Sequence, residues 1–298
     1  MADKVYTIKI AGPAGLGIKS AGQIFSKILI AHGFYLADYS EYPSLVRGGH
    51  NTYQISFSRD KVFSPHFSVD IFFSILAGHW QQHTDEFTSK TLIFSDEKAT
   101  KSPKGIFSTL PLKQLADEVG SPVVANTISL GVAIYLLNLD FNTCKEIICG
   151  FYKNFSDLNG RALESGFNYA AAHFSKYRFN IKPGSIKSKD SHFYEGNEAY
   201  GWGFLAGRGN FYTAYPMTPA TGALHELASL APKTAIKVLH PEDEIAVANI
   251  AAGAAFTGAR VAVGSSGGGF ALMVETISFC GVAELPVVFY LVSRPGPA

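Results

Sequence analysis

Apolar positions along the first 180 residues alternate between two periodicities. Residues 5–11 form a β-rich run typical of a strand, and residues 18–32 then carry apolar side chains at helical spacing. Further strand-like runs lie at 34–37, 52–57, 71–76 and 91–94, and further helical patterns at 112–118, 129–136 and 144–151. This alternation predicts an α/β domain with a mostly parallel sheet that begins with a βαβ unit.

A second α/β pattern follows a segment that lacks any apolar period. Residues 180–196 are rich in Lys, Ser, Pro and Gly, which favours a linker, although a charged loop inside one domain is the alternative. Beyond it we predict helices at 198–205, 221–230, 242–255 and 269–281, and strands at 211–215, 236–239, 260–264 and 286–293. The predicted organisation is a first domain over 1–180, a linker over 181–195 and a second domain over 196–298.

The last strand-like run is continuously apolar, which is typical of a sheet covered on both faces. Because a domain whose last strand has just closed needs more elements, we expect the chain to be a fragment that ends within its second domain.

Composition narrows the functional class. Of the 298 residues 47% are hydrophobic and only 16% charged, which predicts a sizeable core and faces buried against partners. A net charge of +1 gives no nucleic-acid footprint, and the apolar runs are too short for a membrane span. The N-terminus leads directly into a strand, so we expect a cytoplasmic protein. Three cysteines argue against a disulfide framework and are too few for a four-cysteine iron–sulfur cluster.

Two loops of the first domain carry candidate chemistry. Glycines at 12, 15 and 17 separate a strand from a helix, a context that suits an anion at a helix N-terminus. Their spacing is not that of a dinucleotide site, and a structural tight turn explains them equally well. In the polar loop 40–51, Arg47 beside two glycines either binds an anion or forms a salt bridge in an interface.

Four segments of the second domain lie where strands end or helices begin. Residues 215–221 read Tyr-Pro-Met-Thr-Pro-Ala-Thr, so two prolines stiffen the turn around Thr218, whose hydroxyl either binds a ligand or caps the next helix. Glu244 is one of three acids at a helix start, where the helix dipole alone favours them. A glycine-rich turn follows at 265–269, and Arg294 ends the last strand, where its fork suits a carboxylate.

Taken in order, these segments resemble the 2-oxoacid:ferredoxin oxidoreductases. Residues 12–17 and 42–52 are similar to the gamma domain of that family, and residues 215–221 resemble its Y-P-[IM]-T-P-[AS] motif. The resemblance implies a Rossmann-like gamma domain followed by the start of a pyrimidine-binding domain for thiamine diphosphate. The run 294–298 is most similar to the 2-oxoglutarate-type branch, in which a fused gamma–alpha chain pairs with a separate beta chain.

The resemblance also implies a set of site residues. Glu244 meets the aminopyrimidine ring, and Thr218 and Arg294 hold the 2-oxoacid carboxylate. Further contacts to thiamine diphosphate fall on Tyr215, Pro216, Ser266 and Gly267. The coenzyme A side falls on Gly15, Gly17 and Arg47. Mg²⁺ and a 4Fe-4S cluster are implied on the beta subunit, since this chain lacks a G-D-G…N segment and cluster cysteines.

The implied reaction is the oxidative decarboxylation of a 2-oxoacid with CoA to acyl-CoA and CO₂, with electrons passing to ferredoxin. Such a chain is active only with its beta subunit, in a heterodimer or a dimer of heterodimers. Two alternatives stay open: a non-catalytic assembly or CoA-docking subunit, and a non-oxidative thiamine-dependent decarboxylase.

Overall fold

The computed structural model describes residues 3–42, 49–98, 104–186 and 191–294. The chain divides into two units, Met1–Phe193 and Tyr194–Ala298, so the division lies inside the segment interpreted as a linker. None of the described helices is both long and apolar enough to cross a membrane.

The described residues of the first unit form a six-stranded sheet and five α-helices. The strands are β1 Tyr6–Gly12, β2 Tyr35–Glu41, β3 Asn51–Ser58, β4 Val69–Ser74, β5 Phe87–Ser95 and β6 Ile106–Thr109. The helices are α1 Ile18–Ala31, α2 Leu112–Val119, α3 Ala125–Leu136, α4 Phe141–Phe151 and α5 Ser156–His173, and a 3-10 segment spans His79–Glu86. The apolar pattern missed β6 and α5.

The strand order of this sheet is β2-β3-β1-β4-β5-β6. β4 is parallel to β1 and β5, β6 is parallel to β5, and β3 runs antiparallel to both β1 and β2. The predicted mostly parallel α/β sheet is therefore confirmed. The predicted βαβ unit is present in split form, because β1 and β2 run parallel with α1 between them in the chain and β3 lies between the two strands in the sheet. A Rossmann-like arrangement, with all strands parallel in the order 3-2-1-4-5-6, is not confirmed.

The core of the first unit lies where helices cover one face of this sheet. α1 buries Ile24, Phe25 and Ile28 completely against the strands. α3 is buried on nearly all sides and packs on α5 at two glycines. A Cβ on Gly131 would lie 2.3 Å from the Leu163 carbonyl oxygen, so only glycine permits this approach of the two helices.

As far as residue 294, the second unit has a four-stranded sheet and five α-helices. The strands are β7 Phe211–Thr213, β8 Lys237–Leu239, β9 Val261–Ser265 and β10 Val287–Leu291. The helices are α6 Gly196–Ala206, α7 Thr221–Leu230, α8 Glu244–Phe256, α9 Gly267–Leu272 and α10 Val274–Val282. Each predicted element is present, but the single helix predicted over 269–281 is two helices that break at Met273.

All strands of the second sheet are parallel, in the order β10-β9-β7-β8. The chain passes from β7 to β8 on one side and then crosses to β9 on the other side of β7. Such a reversal opens a crevice at the carboxyl ends of the two central strands, and open α/β sheets bind ligands in that crevice. The loops that follow β7 and β9 are the two motif segments 215–221 and 265–269.

Candidate active site

The loops after β7 and β9 touch each other across the crevice. The backbone N–H of Gly269 donates to the sulfur of Met217 at 3.2 Å. The neighbouring Thr218 is exposed, and the Tyr215 ring lies 5.9 Å from the ring of His240, which follows β8. The structure therefore brings the Thr218 loop, the glycine turn and the end of β8 to one edge of the sheet.

Glu244 is the first residue of α8 and is buried, with 5% of its surface exposed. Its neighbour Asp243 caps the helix, because the Asp243 carboxylate accepts the backbone N–H of Ala246 at 2.7 Å. The Glu244 carboxylate is thus not used as a cap. Among the described residues no group hydrogen-bonds its Oε1 atom. A carboxylate oxygen removed from water without a partner is costly, so this geometry suits a ligand that donates a hydrogen bond.

Gly269 brings a second buried polar atom to the same place. A Cβ at this position would lie 2.2 Å from Ser265 Oγ and 3.0 Å from Glu244 Oε1, so a side chain here would displace both. Ser265 Oγ is itself buried without a hydrogen-bond partner among the described residues. Two unsatisfied polar atoms therefore face one glycine. Sequence reasoning included this turn but missed Ser265, Gly269 and Met217, whose roles depend on contacts between distant loops.

The remaining predicted residues of the second unit border this cluster. Ser266 is buried and immediately precedes α9, whereas Gly267 and Pro216 are exposed. Arg294 is half-buried, three residues beyond the end of β10. The backbone N–H of Val292 donates to the Ser265 carbonyl at 3.0 Å, which holds the end of β10 beside the glycine turn. The rest of the run 294–298 lies outside the described residues.

The predicted glycines of the first unit differ from each other in their surroundings. Gly17 has a φ of +67°, and a Cβ there would lie 2.4 Å from the Asn126 side-chain nitrogen. That nitrogen donates to the carbonyls of Leu16 and Gly17 at 3.2 Å each, so Gly17 has a structural role in the turn. Gly15 is exposed, has a φ of +93° and would place a Cβ in open space. Arg47 lies outside the described residues.

A hydrogen-bonded chain of five side chains occupies the other face of the first sheet. Lys9 donates to Glu86 at 2.7 and 2.8 Å, and His83 Nδ1 lies 2.7 Å from Glu86 Oε1. His83 Nε2 lies 2.6 Å from His50 Nε2, and His50 Nδ1 lies 2.7 Å from His79 Nδ1. The Glu86 carboxylate only accepts hydrogen bonds, so three neutral imidazoles satisfy the whole chain. His83 then donates to Glu86, His50 donates to His83, and His79 donates to His50.

The environment of this chain lowers the pKa values of His50 and His79. Burial lowers the pKa of His50 to about 4, and the neighbouring His83, His79 and Lys9 act in the same direction. Burial and His83 also lower the pKa of His79. Although burial opposes it, hydrogen bonds from His83 and Lys9 hold the pKa of Glu86 below its usual value. No group of His, Cys, Asp or Glu side chains suited to a metal ion occurs within the described ranges.

Both units match models of one class of oxidoreductase. Residues 7–169, more than half of the chain, match the family described as pyruvate ferredoxin/flavodoxin oxidoreductase. Residues 203–298 match the thiamine-diphosphate-binding domain of pyruvate flavodoxin/ferredoxin oxidoreductase, and this match contains both crevice loops and Glu244. The chain belongs to the 2-oxoacid:ferredoxin oxidoreductase family, as an alpha subunit.

Individual relatives agree with this assignment. The alpha subunit of the 2-oxoacid:ferredoxin oxidoreductase of a Sulfolobus species is 28% identical over 97% of this chain and 54% of its own length. The solved 2-oxoglutarate:ferredoxin oxidoreductase of Magnetococcus marinus, with 2-oxoglutarate, coenzyme A and succinyl-CoA bound, superposes with a TM-score of 0.87. It is 28% identical, over 99% of this chain and 53% of that one.

A ketoisovalerate oxidoreductase subunit VorB of Methanothermobacter thermautotrophicus is 42% identical over 103 residues, which are 35% of this chain and 29% of that protein. The chain spans about half the length of the curated relatives that match nearly all of it.

Proposed function

We propose that this chain contributes the pyrimidine side of a thiamine diphosphate site to an enzyme that oxidatively decarboxylates a 2-oxoacid. The observation that carries the proposal is the buried Glu244 carboxylate with its unsatisfied Oε1, at the switch point of a parallel sheet. The unsatisfied Ser265 hydroxyl and the close approach of Gly269 fit a flat heteroaromatic ring that brings its own donors and acceptors.

Glu244 would share a proton between its Oε1 atom and a ring nitrogen of the aminopyrimidine. This hydrogen bond favours the imino form of the ring, so Glu244 sets the protonation state from which the reaction starts. Bound thiamine diphosphate supplies the nucleophilic carbon and the electron sink that decarboxylation needs. Because the carboxylate is buried, its interaction with the ring is stronger than it would be in water.

Thr218 and Arg294 would hold the carboxylate of the 2-oxoacid. Both follow strands of the second sheet at its carboxyl edge. The arginine fork donates two parallel hydrogen bonds to a carboxylate, and the threonine hydroxyl donates one. Further contacts with the cofactor would come from the two crevice loops, through Tyr215, Pro216, Ser266 and Gly267. The CoA side would fall in the first unit, on Gly15, Gly17 and Arg47.

The complete enzyme would take 2-oxoglutarate, CoA and ferredoxin, with this chain folded as a gamma-type domain over 1–180, a linker over 181–195 and an alpha-type domain from 196. The Magnetococcus marinus relative supports the substrate and CoA, because its structure holds 2-oxoglutarate, coenzyme A and succinyl-CoA. A beta subunit would carry Mg²⁺ and the 4Fe-4S cluster, in a heterodimer or a dimer of heterodimers.

The test uses the full-length form of this chain with its beta subunit, purified without oxygen. Viologen reduction is followed with a panel of 2-oxoacids, with and without CoA, for the parent and for Glu244→Gln. We expect turnover to fall by about 100-fold in this variant, a typical loss when a proton-transfer group is removed. Glu242→Gln, an exposed glutamate two residues earlier, is the matched control and should stay within about twofold of the parent.

Calorimetric titration with thiamine diphosphate provides a second readout that does not depend on turnover. Equal activity of Glu244→Gln and parent would contradict the catalytic role. A complex that binds thiamine diphosphate and reduces no viologen with any 2-oxoacid would favour a non-catalytic assembly subunit. Release of CO₂ from a 2-oxoacid without CoA or any electron acceptor would favour a non-oxidative decarboxylase.

A further inference from the structure

The side chain of Asn197 connects two elements of the second unit. Its Nδ2 atom donates to the carbonyl oxygen of Pro219 at 3.0 Å. Its Oδ1 atom accepts the hydroxyl hydrogen of Tyr290 at 3.1 Å. One amide group therefore uses its donor and its acceptor on partners that lie 22 residues downstream and 93 residues downstream.

These two partners belong to the two arms proposed to hold the substrate carboxylate. Pro219 directly follows Thr218, and Tyr290 lies on β10, four residues before Arg294. β9 separates β7 from β10 in the sheet, so strand pairing relates these arms only through an intervening strand. The Asn197 amide provides a shorter connection, which runs directly from the Thr218 loop to the strand that carries Arg294.

The surroundings of Asn197 hold the amide in place. The backbone N–H of Glu195 donates to the Glu198 carboxylate at 2.9 Å, which fixes the first turn of α6. The Tyr290 ring stacks on Tyr200 with 3.6 Å between ring centroids and 10° between planes. Burial raises the pKa of Tyr290, so its hydroxyl stays protonated and donates to the amide.

The start of α7 has a glycine where the Asn197 amide approaches it. A Cβ on Gly222 would lie 2.6 Å from Asn197 Nδ2 and 3.1 Å from its Cβ. Only an amide of this length offers a donor to Pro219 and an acceptor to Tyr290 at once. An aspartate at 197 would keep the acceptor and lose the donor, and an alanine would lose both.

We propose that Asn197, together with Tyr290, is a positioning residue that fixes Thr218 relative to Arg294 and thereby sets the affinity for the 2-oxoacid carboxylate. This inference rests on the proposed function for its consequence in catalysis. The connection between the two arms is a property of the fold and is tested separately.

The experiment compares Asn197→Ala, Asn197→Asp and Tyr290→Phe in the full-length chain with its beta subunit. Asn249→Ala is the control, because Asn249 is an exposed asparagine of the same unit that bonds only the Ile245 carbonyl of its own helix. Three quantities are measured: hydrogen exchange of the segments 215–223 and 287–294, the KM and kcat for the 2-oxoacid, and the affinity for thiamine diphosphate.

We expect Asn197→Ala to speed hydrogen exchange in both segments and to raise KM about tenfold, because both hydrogen bonds of the amide are lost. Asn197→Asp should raise KM by a similar factor, and Tyr290→Phe, which keeps the ring stack, by about threefold. The kcat at saturation should stay within about twofold of the parent, and the affinity for thiamine diphosphate should change by less than the KM does, since Glu244 is untouched. All values for Asn249→Ala should stay within about twofold of the parent. The effects of Asn197→Ala and Tyr290→Phe should not add, since both break one connection.

Unchanged exchange in Asn197→Ala would overturn the connection between the arms, whatever the activity. Faster exchange with an unchanged KM, or a loss of kcat alone, would overturn the role in carboxylate binding. If the parent turns over no 2-oxoacid, the proposed function fails, and the exchange measurement still decides whether Asn197 positions the loop.

Discussion

The two units of the chain each hold polar side chains against their sheet and satisfy them differently. On one face of the first sheet, Lys9 from the middle of β1, Glu86 and three histidines bond one another. At the switch point of the second sheet, where β8 and β9 lie on either side of β7, Glu244 Oε1 and Ser265 Oγ have no described partner.

This difference distinguishes a structural cluster from a ligand site. Buried polar groups in folded proteins are nearly always hydrogen-bonded, so a cluster that satisfies itself stabilises the fold that holds it. A buried carboxylate oxygen that the fold leaves unsatisfied costs stability unless a ligand completes it. Two carboxylates of one chain, the partly buried Glu86 and the buried Glu244, are therefore expected to respond in opposite ways to the same substitution.

The largest expected effect is the loss of stability when Glu86 is replaced. Glu86→Gln leaves the buried ammonium of Lys9 without its carboxylate, and breaking such a pair costs about 3 kcal/mol. Glu244→Gln replaces a carboxyl group whose Oε1 has no described partner by an amide, and should raise the free energy of unfolding of the ligand-free protein by about 1 kcal/mol. Native-state hydrogen exchange of amides in β1 and β9 measures the free energy of unfolding of the first and the second unit separately. A loss of stability in both variants would show that Glu244 is also a structural group, and the comparison would fail.

A smaller effect is expected where the glycine turn meets Glu244. Gly269→Ala places a methyl group against Ser265 Oγ and Glu244, and such overpacking costs about 1–3 kcal/mol. We expect the affinity for thiamine diphosphate to fall by about 10- to 100-fold in calorimetry of the complex with the beta subunit. Gly253→Ala is the control, since Gly253 lies within α8 and a Cβ there meets no atom within 4 Å. Equal affinities of the two variants would exclude Gly269 from the binding surface.

The sequence predicted the elements of the second unit better than those of the first. Its parallel strands are short apolar runs that alternate with helices in chain order, so the apolar pattern determines them. In the first unit the position of β3 between β1 and β2 depends on pairing between segments distant in sequence. The helix α5 was missed because its polar face obscures the apolar pattern. The predicted boundary at residue 242 was two residues early, since Asp243 caps α8 and leaves Glu244 inside the helix.

The motifs predicted residues of the candidate site but not their connections. Thr218, Glu244 and Arg294 each stand next to a strand or helix end, and their roles were implied by the resemblance to family motifs. Asn197 and Tyr290 stand in no motif, and Met217 entered only as part of the motif around Thr218. The contacts of these three residues are hydrogen bonds across 22 to 93 residues, which a local pattern does not reveal. Likewise, His50 lies in a predicted loop, but its bonds to His79 and His83 depend on how β4 and the following 3-10 segment pack.

The smallest expected effect is the response of the histidine chain to acid. The pKa of His50 is about 4 in the folded protein and near 6.5 in the unfolded chain, so only the unfolded chain takes up a proton between these values. The stability of the first unit should therefore be constant above pH 6.5 and fall as the pH drops from 6.5 to 4, with His79 adding to the slope. The charged groups that face His50 are Lys9 and Glu86, and hydrogen bonds from His83 and Lys9 lower the pKa of Glu86 although burial opposes this. Hydrogen exchange of β1 amides between pH 6.5 and 4 measures how steeply the stability of the first unit falls with pH. The variant His50→Gln should show a weaker dependence. A slope that persists in His50→Gln would assign the acid response to other groups and would remove the evidence that the neutral chain stabilises the first unit.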